Sequence, residues 1–559
     1  MRLKEATLLL SSTLAAACAP AAHAVAVAPV APEGSGPALP LMDLLLVSAP
    51  AAALCAAATL VMLIGAFWPA SGRRALPWIA LAGIAATVWA TLAAPGAYEG
   101  PVRLLALDSF TVIFSLLVLA ATAIAVLLSV NYVNREEMAR GEYYSLMMFS
   151  AAGALLMAAA DDLILLFMGL ELLSIPLYVL AGFARGREQS KEAALKYFLL
   201  GAFASSFLVF GAALVFASVG GTGYHQMALG LLLLGRGADA LLAAGVAMVL
   251  IALAFKVALV PFHWWTPDVY QGAPTPVTAF MSIVAKAAGF AALVRIVSAG
   301  AHGDLPGWNA LLWALAAATM VWGNLLALAQ QIVKRLLAYS SIGHAGYLLL
   351  GVLTGTVNGF SALVFYLAAY GVTTLGAFGV AAFLAGKGDR IETLYDYRGA
   401  ARRHPFAGAL MAVFLFSLAG IPPFAGFFAK LYLFLAALEQ GYVGLTVIAV
   451  LTSVLAVYYY LRVSVVMWME EPREEPSEAP QYEPARLSAA ALAALAAGVT
   501  LLGIFSSPVL RWSDRAAIAA VETGRGAAPG RTGIGEAQPS LPPVDIPEPG
   551  PAASVPSQE

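Results

Sequence analysis

Four charged residues lie inside long apolar stretches of this 559-residue sequence: Glu171, Lys256, Lys286 and Lys430. A lysine in mid-bilayer costs roughly 2.5–3.5 kcal/mol even on insertion scales, and residues that bear such a cost usually line an ion or proton path. An amine and a carboxylate there can trade a proton, because burial favours the neutral form of each and a nearby opposite charge favours the ionised form. A Glu171 that approaches or withdraws would load or discharge Lys256. The same residues also suit a static ion pair between helices, or a neutral Glu in a packing hydrogen bond. The residues alone leave those alternatives open.

Their depths agree with a path. Glu171 is nine residues beyond Asp162, which at 1.5 Å per residue is roughly 13 Å into the bilayer. Lys256 precedes Pro261 by five residues, Lys286 follows Pro274 and Pro276 by twelve and ten, and Lys430 follows Gly420-Ile421-Pro422-Pro423-Phe424-Ala425-Gly426. His344 is a candidate relay between Lys286 and Lys430, since an unperturbed imidazole titrates near pH 6.5; a packing histidine fits as well. Lys196, near a helix end, reads either as a proton-entry residue or as a side chain that snorkels to water. His263, Asp268 and Lys334 also read as helix-end residues, and His23, His225, His302 and His404 as loop residues. With two cysteines, Cys18 and Cys55, no metal-ligand set assembles, so no metal is expected.

The elements that must position these residues follow from composition. Hydrophobic residues make up 61% and charged residues 11%, against about 25% charged in soluble domains, and the mean hydropathy is +0.84. This is an all-α, polytopic membrane protein, because lipid tolerates only helices or closed barrels and the apolar runs are too long for barrel strands. A net charge of -2 offers no footprint for nucleic acid. Neither a Gly-x-Gly-x-x-Gly nor a phosphate-loop motif occurs, and no thiolate cluster is available, so any redox cofactor must sit in another chain.

About fourteen spans are predicted, near 43–67, 76–94, 107–131, 143–160, 162–184, 193–219, 238–262, 274–299, 307–329, 335–354, 359–385, 405–438, 441–469 and 487–510. Residues 1–24 have a basic start, an apolar run and Ala22-His23-Ala24, and read as a possible signal peptide or an uncleaved extension. A linker covers 25–42. Residues 470–486 form an acidic loop, and 511–559, richest in Pro, Gly and Ala from 522, are expected to be a disordered tail. Odd-numbered loops hold most of the Arg and Lys, among them Arg73, Arg135, Arg187, Lys191, Lys334, Arg335, Lys387 and Arg402, whereas even-numbered loops hold little beyond Arg103, Arg236 and Arg295. The positive-inside rule then places the odd loops in the cytoplasm and both termini outside, in the periplasm.

Two proline-bearing segments echo each other. Leu259-Val260-Pro261-Phe262 follows Lys256, and Gly420-Ile421-Pro422-Pro423-Phe424-Ala425-Gly426 precedes Lys430 five spans later. Proline removes a backbone donor and clashes with the preceding turn, so both helices are expected to break within the membrane. Paired broken helices mark a repeat-built transporter. After three N-terminal helices in 43–142, two inverted five-helix units are therefore predicted over 143–299 and 300–469, with a last helix at 487–510.

The run from Phe255-Lys256-Val257 through Pro261-Phe262-His263-Trp264-Trp265-Thr266-Pro267-Asp268 to Gly272-Ala273-Pro274-Thr275-Pro276-Val277, with Lys334-Arg335-Leu336-Leu337-Ala338-Tyr339-Ser340-Ser341-Ile342 and Gly420-Ile421-Pro422-Pro423, resembles the antiporter-like, proton-conducting subunits of respiratory complex I over about residues 43–510. The nearest branch is that of subunit N of bacterial NADH-quinone oxidoreductase, since the subunit M branch usually has glutamate where Lys430 stands. The resemblance implies a Glu171–Lys256 switch, Lys286 as connector and Lys430 nearest the exit. It also implies a hetero-oligomer in the bacterial inner membrane, with NADH, FMN, iron–sulfur clusters and quinone bound by partner subunits, none in this chain. The signal-like start and the Pro-rich tail depart from the family pattern. A multi-subunit Na+/H+ antiporter of the same fold and a purely structural membrane scaffold are the rival readings.

Overall fold

The structure, a computed structural model, describes residues 41–67, 74–93, 104–138, 141–234, 240–301, 307–472 and 486–524. The signal-like segment, residues 25–40, most of the acidic loop and everything beyond 524 lie outside the described residues. Nineteen helices are present among them, and no strand: α1 Leu41–Phe67, α2 Leu76–Ala93, α3 Ser109–Arg135, α4 Gly141–Ala159, α5 Leu163–Ala181, α6 Glu188–Val219, α7 Tyr224–Leu234, α8 Ala240–Val257, α9 Trp265–Gly272, α10 Thr275–Ile296, α11 Trp308–Leu328, α12 Val333–Thr354, α13 Val357–Leu384, α14 Ala400–Arg403, α15 Pro405–Ala419, α16 Ala425–Glu439, α17 Val443–Met469, α18 Arg486–Ile504 and α19 Ser506–Gly524. Local chemistry starts them where a backbone donor needs a partner: Asp108 caps α3, Asp162 caps α5 and Thr356 caps α13.

Twelve of these helices are long and apolar enough to cross a membrane. Two further elements complete the predicted fourteen. One is α4, in which Glu142, Tyr143 and Tyr144 dilute an otherwise apolar run; the other is the pair α15 and α16, each of 15 residues and too short to cross alone. That pair is the second broken helix. The first is α8 and α9, separated by a turn over 258–264. Gly420 ends α15 at φ +84°, a left-handed conformation that glycine adopts without the Cβ clash.

An inverted repeat shows in the backbone. Leu163 N donates to Thr222 O (3.0 Å) and Tyr224 N to Asp161 O (3.0 Å), tying the start of α5 to the end of α6. Val333 N donates to Glu392 O (2.9 Å) and Leu394 N to Gln331 O (2.7 Å), tying the start of α12 to the segment after α13 in the same pattern. By the alternation of crossings the first tie lies at one end of the bundle and the second at the other, as inverted repeats require. The second tie is at the arginine-rich end.

At the centre stands α10, every residue of which is buried. It packs against α13, α3, α4 and α8, and α13 in turn touches α15, α16, α18 and α19. Two expectations need correction. The tail predicted to be disordered from 511 is helical to 524, because Ser506, Ser513, Ala516, Ala517, Ala520 and Thr523 recur at helical spacing and are buried; a stripe of small and hydroxyl residues gives little hydropathic signal. Arg295, counted above as a loop residue, lies in the last turn of α10, and His225 lies in the first turn of α7.

Candidate functional site

A broken helix leaves carbonyl groups without amide partners, and these carry the negative end of the half-helix dipole. Both breaks turn such carbonyls on a lysine. At the first, Lys286 of α10 donates its ammonium to Val257 O at the end of α8 (3.1 Å). At the second, Lys430 of α16 donates to Leu418 O (2.9 Å) and Ala419 O (3.0 Å) at the end of α15, and to Ser453 Oγ of α17 (2.8 Å). Two more loose ends at the first break are also met: Trp265 Nε1 donates to Phe255 O (3.0 Å), and Val260 N to Thr319 Oγ1 (3.0 Å).

Lys256 sits one residue before α8 ends, 2% exposed. Its ammonium donates to Ser174 Oγ (2.6 Å) and lies 5.7 Å from the centre of the Tyr197 ring, which stacks on Trp265. Glu171, half-buried, accepts from Ser205 Oγ. The two expected switch partners therefore make no ion pair here; Ser174, one helical turn beyond Glu171, takes the lysine instead. Lys286 and Lys430 are 2% and 6% exposed.

His344 of α12 is held at both ring nitrogens by tyrosine hydroxyls, Nδ1 with Tyr366 (2.6 Å) and Nε2 with Tyr460 (3.1 Å), and Tyr460 bonds on to Ser340. An imidazole so placed can take a proton on one nitrogen and release one from the other. Lys196 pairs with Glu192 (2.7 Å) and Asp268 (2.6 Å), and Asp268 also meets Arg335 (2.6 Å). Its neighbour Tyr197 lies beneath Lys256, so α6 links this partly exposed cluster to the first break.

Sequence reasoning missed two charged knots that fix α10 at its ends. At the arginine-rich end Asp389 accepts from Arg187 (2.7 Å), Tyr132 (2.9 Å), Thr275 (3.0 Å) and Lys334 (3.2 Å) through one oxygen. Burial alone would raise this carboxyl, but Lys334 and Arg187 overcome it and hold it at about 2. At the other end Arg295 forms a two-pronged pair with Asp108 (2.8 and 3.1 Å), joined by Thr523 of α19 (2.8 Å). Burial opposes ionisation of Asp108, and Arg295 outweighs it, so its carboxyl is lowered. An aspartate in Gly386-Lys387-Gly388-Asp389-Arg390, flanked by glycines and bases, was the available signal for the first knot. Among the described residues no cluster of His, Cys, Asp and Glu is suited to a metal ion.

Residues 160–456 match the family model described as NADH:quinone oxidoreductase/Mrp antiporter, TM. The chain is 46% identical to NADH-quinone oxidoreductase subunit N of Trichlorobacter lovleyi, over 73% of this chain and 84% of that protein, and 45% identical to that of Chloroflexus aggregans, over 74% and 85%. Among solved structures it resembles a chain of respiratory complex I from Thermus thermophilus with bound aureothin, at 36% identity and TM-score 0.68, over 83% of this chain and 98% of that one. A chain of the Mrp complex from Dietzia shares the fold at TM-score 0.74 and 23% identity, over 86% and 98%. With its two broken helices and buried lysines, the chain belongs to the NADH-quinone oxidoreductase subunit N family of antiporter-like membrane proteins.

Proposed function

We propose that this chain is a proton-translocating membrane subunit of an NADH-quinone oxidoreductase, moving protons outward across the bacterial inner membrane while partner subunits, which bind NADH, FMN, iron–sulfur clusters and quinone, carry out the redox reaction. The observation that carries the reading is the pair of broken helices whose freed carbonyls each grip a buried lysine. Each proton moved against about 100 mV requires roughly 2.3 kcal/mol, so coupling has to arrive through contacts with neighbouring membrane subunits.

In this reading Lys196 and Asp268 admit the proton at the arginine-rich, cytoplasmic end. Lys256, with Glu171 and Ser174 beside it, loads and discharges; Lys286 connects; His344 relays between its two tyrosines; and Lys430 delivers. The two five-helix units over 143–299 and 300–469 are the two half-channels, and both termini face the periplasm. The description of the matching family model also names the Mrp antiporter, so exchange of sodium for protons is kept as the second reading.

Lys256→Met and Glu171→Gln in the assembled complex test the proposal. Each is expected to lower proton pumping while leaving the complex assembled, and pumping is expected to be indifferent to sodium. Full pumping per NADH in both variants would return the charges to a structural role, and strict sodium dependence would favour the antiporter.

A further inference from the structure

From the His344 relay towards Lys430 runs a line of side chains, joined by ring contacts at its two ends and by hydrogen bonds between them. Tyr459, whose ring lies 4.4 Å from that of Tyr460, donates to Asn324 Oδ1 (2.9 Å). Asn324 Nδ2 donates to Tyr347 Oη (3.3 Å) and to Met320 O (2.7 Å). Tyr347 donates to Thr452 Oγ1 (3.1 Å), whose own proton goes to Ile448 O (2.8 Å). The Tyr347 ring lies 5.7 Å from the Lys430 ammonium, and Ser453, which that ammonium bonds, follows Thr452. Asn324, 1% exposed, occupies the middle of this line.

We infer that Asn324 is a positioning residue that insulates Lys430 from His344, closing the line of side chains between them to proton hopping; this rests on the proton-translocating reading above. A hydroxyl or imidazole passes a proton by taking one on a lone pair and giving up another. An amide has separate ends: its oxygen only accepts and its nitrogen only donates. For a proton to cross, Oδ1 would have to capture the Tyr459 proton while Nδ2 surrendered one to Tyr347, leaving an imidic acid that must then revert. The oxygen is too weak a base, and the N–H too weak an acid, for that to compete.

Nor can the amide turn over. Met320 O is a backbone carbonyl and can only accept, so reversing Asn324 would set two acceptors face to face. Packing fixes it further. Helices α11 and α12 touch at Gly323, where a Cβ would come within 2.6 Å of Gly343 N, and a Cβ on Gly343 would come within 2.8 Å of Asn324 Nδ2. On the far side the hydroxyl protons run out into a backbone carbonyl. The histidine end, Tyr366–His344–Tyr460–Ser340, can exchange protons, and the line stops at Asn324. Transfer to Lys430 then has to use a hydrated route, which a change of conformation can open and shut, whereas a permanent wire would short-circuit the second unit.

The test uses the assembled complex in sealed vesicles. Asn324→Asp substitutes a group that binds and releases protons between the same tyrosines, and passive collapse of an imposed pH gradient, with NADH absent, is expected to quicken about threefold or more. Tyr459→Phe keeps the ring but removes the hydroxyl that feeds Asn324, and protons pumped per NADH are expected to stay at the parent value. A severalfold fall in pumping for Tyr459→Phe would show that protons do run through the amide and would overturn the inference, even if Asn324→Asp fails to assemble. An Asn324→Asp complex as tight as the parent would also overturn it. Lys256→Met, run alongside, separates the two ideas: if it pumps normally the translocation reading falls, and if it fails while Tyr459→Phe also loses pumping, only the insulator falls.

Discussion

The two breaks solve one backbone problem in different ways. At the first, the ammonium on the freed carbonyl arrives from another helix, Lys286 of α10, while the lysine carried by the broken helix itself, Lys256, is held through Ser174 of α5. At the second, the ammonium belongs to the other half of the same broken helix, Lys430, and three acceptors hold it. The first break thus has two lysines from separate helices about it, Lys286 on the carbonyl of Val257 and Lys256 next to Val257 in the chain. At the second, one lysine joins the two halves of the broken helix and ties them to α17. In the reading proposed above, protons are gathered at the two lysines of the first break and leave from the one lysine of the second.

The largest effect that can test this comparison comes from charge without exchange. An arginine keeps its proton at every accessible pH, so Lys286→Arg would preserve the cation at Val257 O and remove the proton transfer. Pumping per NADH is expected to drop at least about tenfold in Lys286→Arg, as in Lys286→Met. A Lys286→Arg complex that pumps well would mean that the first break needs only a fixed charge there, and the contrast between the breaks would lose its functional meaning.

A smaller effect separates the holding of the lysines. A hydrogen bond to a charged group contributes about 1.5–3 kcal/mol, and among the described residues Ser174 is the one side chain that bonds the Lys256 ammonium, whereas Lys430 keeps two carbonyls if Ser453 is lost. Ser174→Ala is therefore expected to slow pumping roughly tenfold and Ser453→Ala no more than about threefold. Equal losses would show that the carbonyls at the second break do not share the load, and initial rates of vesicle acidification read this directly.

Much of this was legible in the sequence because the membrane makes charge conspicuous. Lys256, Lys286, Lys430 and Glu171 stand out as interruptions of apolar runs, and Pro261 and Pro422 announce the breaks. What the sequence withheld is pairing. Glu171 looks like the natural partner of Lys256, yet a serine holds the lysine, since a hydroxyl one turn away is invisible beside a carboxylate. His344 was found by type, but its tyrosines lie 22 and 116 residues away. Asp389 was passed over because a loop charge next to Lys387 and Arg390 reads as solvated surface, and α19 because small residues carry its buried stripe.

Both ends of α10, which presents Lys286 to the first break, are pinned by buried charges, at Thr275 through Asp389 and at Arg295 through Asp108; at the second break the last residue of α16, Glu439, is held by an exposed bond from Asn358. The Asp389 knot is either a fixed anchor for the first break or a third proton-exchanging group, and pH tells which. Its carboxyl is lowered from 3.8 to about 2 in the folded chain. The stabilisation it contributes is then fully present above pH ~3.8 and lost only as pH falls towards 2, amounting to on the order of 2 kcal/mol. Asp389→Asn is accordingly expected to lower the thermal midpoint of the detergent-solubilised complex by the same few degrees at pH 7 and at pH 5. A deficit that shrinks between those two values would mean that the carboxylate takes up a proton in the working range. The first break would then end in a titrating group rather than an anchor, and would differ from the second in kind as well as in the number of its lysines.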